Sequence, residues 1–124
     1  MESIDLTCAE YGSRIAGDGS VEQSLVNSAL AVLLEQGVYP MYLFLSSRGS
    51  NKEKNAAEKI RRELFKLLQK FFKMLQTSNH GKNNIDILQV IREKFQDRAE
   101  ETFLAKDILE KALVYARYHL RAKN

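Results

Sequence analysis

Few side chains in this sequence can carry acid–base, nucleophilic or metal chemistry, and they are scattered. The two histidines, His80 and His119, stand in different segments, neither at ligand spacing from an acid or from Cys8. Cys8 is the single cysteine, so neither an internal disulfide nor a cysteine metal motif is available. Its helical core spacing predicts a small buried hydrophobe rather than a nucleophile. His119 is expected on the inner side of the last helix, as a core or rim residue. Asp107 and Glu110 stand one helical turn apart and can share a cation, but acids at that spacing usually form a solvated face. Gly17-Asp18-Gly19 and Arg48-Gly49-Ser50 lack the pattern around a phosphate-binding loop. The expectation is a chain with no catalytic residue, no metal ligand and no cofactor, hence no enzyme.

Charge does carry a pattern. Lys59, Arg62, Lys66, Lys70 and Lys73 follow one another at intervals of three, four, four and three residues. At ~100° per residue they fall on a narrow arc of one helix, nearly opposite Leu64, Leu67 and Phe71. Residues 59–84 hold seven lysines and arginines against one acid, Glu63. Like charges at helical spacing repel by a few tenths of a kcal/mol each, and an anionic partner would relieve this. A phosphate backbone is the expected partner, because neutralising it releases condensed counterions. His80 and Lys82 extend the patch at one end, and Arg48, Lys52 and Lys54 at the other. Arg117, Arg121 and Lys123 form a second cluster, joined to the first only where the two helices run side by side. The plainer alternative is a solvated lysine-rich face. An acidic protein is a further candidate, and a membrane a weaker one, since so small a domain needs its apolar face for the core.

The elements that position these residues are helical. One proline and six glycines in 124 residues leave few breakers, and 44% hydrophobic with 28% charged residues is ordinary globular composition. The fold class expected is all-α, a compact bundle of about five to six helices forming one domain over residues 1–124. The net charge of +3 is small, so any basic surface must come from clustering. The acidic start has no apolar run of signal-peptide type, and no stretch of about 18 apolar residues appears, so the expected compartment is the cytoplasm.

A first helix is expected over residues 4–15, with Ile4, Cys8, Tyr11 and Ile15 on one face. Ser20, with Gln23 three residues on, reads as the capping box of a second helix that runs to Gln36 and stops at Gly37. Val38–Leu45 is expected as a short buried helix, because Pro40 suits a first turn and disrupts a central strand. Asn51–Gln76 is expected as the longest helix, its core stripe running through Ala57, Ile60, Leu64, Leu67, Phe71 and Leu75. Phe65 and Phe72 stand on its shoulder, to cover another helix of the domain or to meet a neighbouring subunit. A fifth helix is expected over residues 85–96, with Ile87 or Leu88, Ile91 and Phe95 inward. The last is expected over residues 102–122, with Leu104, Ile108, Ala112, Tyr115 and His119 near one line.

Two segments carry a family resemblance. One is Leu33-Leu34-Glu35-Gln36-Gly37-Val38 running into Leu43-Phe44-Leu45-Ser46, and the other is Phe103-Leu104-Ala105-Lys106 through Ala112-Leu113-Val114-Tyr115-Ala116-Arg117-Tyr118. With the helical order and size, these make the chain resemble the small helical subunit of type III-B CRISPR effector complexes, the Cmr module. Tyr39-Pro40-Met41 departs from the polar residues expected there, and tyrosines replace an expected tryptophan in the last helix. The small subunits of type III-A (Csm) or other CRISPR complexes therefore stay open. The resemblance implies a non-catalytic part of an antiviral ribonucleoprotein complex. Its implied partners are guide or target RNA and other CRISPR effector subunits, with possible self-association in a short filament. Base pairing would then read sequence while protein contacts the backbone. No contact residue is placed by the resemblance. The expected RNA-binding residues, Lys59, Arg62, Lys66, Lys70, Lys73, Lys82, Arg117 and Arg121, come from charge and helical position.

Overall fold

The computed structural model describes residues 3–47, 51–76 and 86–123. Among them are six α-helices and no strand, as the composition predicts. The helices are α1 (Ile4–Ala16), α2 (Gln23–Gln36), α3 (Val38–Ser46), α4 (Asn51–Phe71), α5 (Ile87–Phe95) and α6 (Ala99–Lys123), with a 3₁₀ turn at Lys73–Leu75. They enclose one continuous apolar core.

Local chemistry sets most of the ends. The Ser3 hydroxyl accepts from the Leu6 N–H and caps α1, which stops at Gly17. Gly37 closes α2 at φ 114°, a conformation open to glycine, and its N–H reaches the carbonyls of Leu33 and Val32. Pro40 sits in the first turn of α3. Asp86 caps α5 through the Gln89 N–H. Asp97 turns the chain from α5 into α6 at φ 61°, a region Asp tolerates.

α6 is the central strut. It packs most extensively on α1, next on α2, and touches α4 over a smaller area. The α1–α6 seam is close because it is lined by small residues: a Cβ at Gly12 would stand 2.7 Å from Tyr115 Cβ and 2.8 Å from both the Ala112 oxygen and the Ala116 nitrogen. Cys8 is fully buried in this seam, its thiol 3.5 Å from the Ile108 carbonyl oxygen. Cys8 thus pairs with Ile108 and Gly12 with Ala112–Ala116, so the two helices run parallel.

Several expectations are corrected. The longest helix is α6, at 25 residues, and not α4, at 21. α4 ends at Phe71, because Phe72 is extended (φ −123°, ψ 104°) and the chain re-enters a 3₁₀ turn. Ser20 does not cap α2. Its N–H and hydroxyl both bond the Asp18 carboxylate, and Glu22 takes the cap position without a side-chain bond. The buried line of α6 is Ala105, Ile108, Leu109, Ala112, Leu113, Ala116 and Leu120, while Leu104 and His119 are exposed. Phe65 and Phe72 are both buried within the domain, with Phe72 edge-on to Phe95 at 5.5 Å.

Candidate interaction face on α4

α4 carries the charged arc because its two sides do different work. Ala56, Ala57, Ile60, Leu64, Phe65, Leu67 and Leu68 are buried against the core. Lys59, Arg62, Lys66 and Lys70 stay together on the adjoining side of the helix, with Lys59 half-buried and the rest exposed. Lys73 lies past the break at Phe72, in the 3₁₀ turn, so it leaves the helical arc. The arc is not opposite the core but borders it. The burial of Phe65, on one shoulder, and of Glu63, on the other, makes the buried side broader than the Leu64–Leu67–Phe71 stripe.

Glu63 is the residue that the charge pattern obscured. It is 4% exposed, and three cations converge on it: Lys59 and Lys66 at 3.4 Å and Arg14 of α1 at 3.6 Å. A buried carboxylate requires such partners, since an uncompensated charge in the interior costs several kcal/mol. The signal was present in the sequence. Glu63 follows Ile60 by three residues and precedes Leu67 by four, so a lone acid occupies a core position.

Further acids are interleaved with the arc. Arg62 lies 4.0 Å from Glu58, one turn back. Arg14 also pairs with Glu10 at 2.8 Å and stacks over the Tyr11 ring at 4.5 Å. Asp18, in the α1–α2 loop, is held below the usual carboxylate range, first by the Ser20 hydroxyl and N–H and then by the nearby Lys59 and Arg62 charges. At the start of α4, Lys52 pairs with Glu22 at 2.9 Å. The arc therefore shares its side of α4 with acids that partly balance it.

The second cluster approaches the first at the α1–α2 loop. Lys123 donates to the Ala16 carbonyl at 2.6 Å, capping α1, and shares a hollow of about 310 Å³ with Asp18 and Leu120. Arg121 is exposed at that end. Arg117 is half-buried, its guanidinium 5.9 Å from the Tyr118 ring centre. Lys82, His80 and Arg48 lie outside the described residues.

Among the described residues no group of three or more His, Cys, Asp or Glu side chains is placed to hold a metal ion. No helix among them is long and apolar enough to cross a membrane. The Cys8 thiol is pushed up to about 11, chiefly by burial and then by Asp5, which disfavours the thiolate a nucleophile requires.

No protein-family model, curated protein or solved structure matches this chain. That result corrects both the assignment to an antiviral CRISPR ribonucleoprotein complex, drawn from the resemblance, and the expectation of RNA binding, drawn from charge: neither has a relative to rest on, and both are withdrawn.

Proposed function

We propose that this chain is a non-catalytic helical interaction module whose α4 face docks an acidic surface of a protein partner. The observation that carries this reading is the anchoring of Lys59 and Lys66 on the buried carboxylate of Glu63. Lys66 keeps half its side chain in water while its ammonium is held 3.4 Å from a fixed anion. Cations positioned in this way lose less side-chain entropy on binding than freely moving lysines.

The interleaved acids favour discrete carboxylates over a continuous phosphate chain. Glu58 and Asp18 lie close to the arc and would repel an extended polyanion laid along it. An acidic protein surface can place its carboxylates against the exposed cations and leave those positions empty. Such complementarity governs register and association rate more than affinity. Neutralising the exposed Arg62 and Lys70 of α4, together with Lys73 just beyond its end, tests the reading, because it leaves the Glu63 cluster intact. Binding of an acidic peptide must weaken while the fold holds. The buried, reduced Cys8 suits a reducing compartment, and we place the module in the cytoplasm.

A further inference from the structure

The end of α4 is set by contacts around it and not by a breaker in its sequence. From Asn51 to Gln76 there is no glycine and no proline, and the core stripe through Leu64, Leu67 and Phe71 continues in step to Leu75. Phenylalanine, lysine, methionine, leucine and glutamine, which fill positions 72–76, all tolerate a helix. The helix nevertheless stops at Phe71, Phe72 is extended, and Lys73–Leu75 close as a 3₁₀ turn. A 3₁₀ segment inside a run that reads as α-helix often marks a hinge.

Two glutamines hold this break. The Gln76 side-chain amide donates to the Gln69 carbonyl at 2.9 Å. In a continuing α-helix that carbonyl would accept from the N–H of Lys73, four residues on. The Gln76 amide therefore stands in for the next helical hydrogen bond. Gln69 returns the contact, its own amide donating to the Leu75 carbonyl at 3.0 Å. Beside this pair, the Phe72 ring sits edge-on to Phe95 of α5 at 5.5 Å.

Continuing the helix would keep the apolar side chains inward. Leu75 would follow Phe71 by one turn, and Phe72 would follow Leu68 by one turn and Phe65 by two, both of which are buried. The residue most changed is Lys73. In the 3₁₀ turn it lies off the cationic row, whereas a further turn of α4 sets it three residues after Lys70 and seven after Lys66, on the same arc.

We propose that residues 72–76 are a switch between this turn and a further turn of α4, and that an acidic surface docked on α4 drives the switch to the helix through Lys73. The coupling to a partner rests on the docking reading of α4, and the switch itself does not. Carboxylates laid along the arc meet one more cation in the lengthened form, so they bind it more tightly and shift the balance toward it. The Gln69 carbonyl exchanges a side-chain donor for a backbone one and is satisfied in both forms.

The test is NMR of the full isotope-labelled chain, read at the Cα shifts of residues 72–76 and at the exchange rate of the Lys73 amide. In the free wild type, helical shifts should end at Phe71. Gln76→Ala removes the competing donor at an exposed position. It should carry helical shifts through residue 76 and slow Lys73 exchange about tenfold. Phe95→Leu removes the ring contact while keeping bulk, and should move the shifts the same way. A saturating 20-residue peptide of aspartate and glutamate should do so in the wild type. The peptide should bind Q76A several-fold more tightly than wild type, and Q76A/K73Q should lose that gain. An extended Phe72 or random-coil shifts at 72–76 in both free variants overturn the switch, whatever the peptide does. Peptide binding to wild type with unchanged shifts at 72–76 overturns the coupling. A wild type that binds no peptide overturns the docking reading and the coupling with it, while the shifts of the two free variants still decide the switch.

Discussion

The Arg14 guanidinium lies 3.6 Å from the Glu63 carboxylate, and this contact ties α1 to α4 through the most buried acid described in the chain. Removing the carboxylate leaves Arg14, Lys59 and Lys66 facing one another without an anion. Loss of one partner from a fully buried pair costs ~3–5 kcal/mol. Arg14 and Lys66 are about half in water, so the penalty is screened. Glu63→Ala is expected to destabilise the fold by about 2 kcal/mol, read as a lower urea midpoint with little change in slope. An unchanged midpoint would show that Glu63 is not a structural hub.

Gly12 is required by contact, not by backbone dihedrals. A Cβ there would fall 2.7 Å from Tyr115 Cβ and 2.8 Å from two backbone atoms of α6, and backbone cannot swing aside as a flexible side chain can. Gly12→Ala is expected to cost about 2 kcal/mol, in the range of overpacking, even though alanine is the better helix former. Thermal unfolding of the variant checks this. A higher midpoint would mean that α1 and α6 are less tightly apposed.

The Cys8 thiol gives a pH dependence whose sign is fixed. Burial, followed by the Asp5 charge, raises it from 9.0 to about 11, so the folded state holds this proton more tightly than the unfolded state. Its stabilising contribution is full below pH 9 and is lost as pH rises through about 11. Cys8→Ala should flatten the alkaline fall in stability over that window. In the native protein at pH 8 a thiol reagent should label Cys8 slowly, and rapidly once urea unfolds the chain. Equally fast labelling in both states would contradict its burial.

Much of this fold can be read from residue spacing, and the failures have local physical causes. Gly37 after a periodic run marked the end of α2, and Pro40 marked α3 as a helix, because each answers to backbone sterics alone. Ser20 misled because a Ser-x-x-Gln pattern is not enough to make a cap. The Asp18 carboxylate two residues earlier takes the hydroxyl into a local turn. The inward face of α6 was set too far round, through Leu104 and His119. Leu104 and Ala105 fit a helical stripe equally well, but it is Ala105 that lies on the buried line with Ile108, Leu109 and Ala112, leaving Leu104 exposed. The run of cations was legible as a pattern, but the contacts that reach it from elsewhere were not: Arg14 of α1 joins Lys59 and Lys66 on Glu63, and Asp18 of the following loop lies near Lys59 and Arg62, all far apart in sequence.

The central claim is that the exposed cations of α4 and of the turn that follows it bind acidic protein surface. Its most direct measurement is the anisotropy of a labelled 20-residue peptide of aspartate and glutamate, titrated with the wild-type chain and with R62Q/K70Q/K73Q. A 20-nucleotide RNA serves as comparator in the same buffer. The wild type should bind the peptide saturably and more weakly as salt rises. The triple variant should lose at least tenfold in affinity with its thermal midpoint preserved, and the RNA should bind less tightly than the peptide. Undetectable peptide binding, equal affinity in the triple variant, or tighter binding of the RNA would contradict the account.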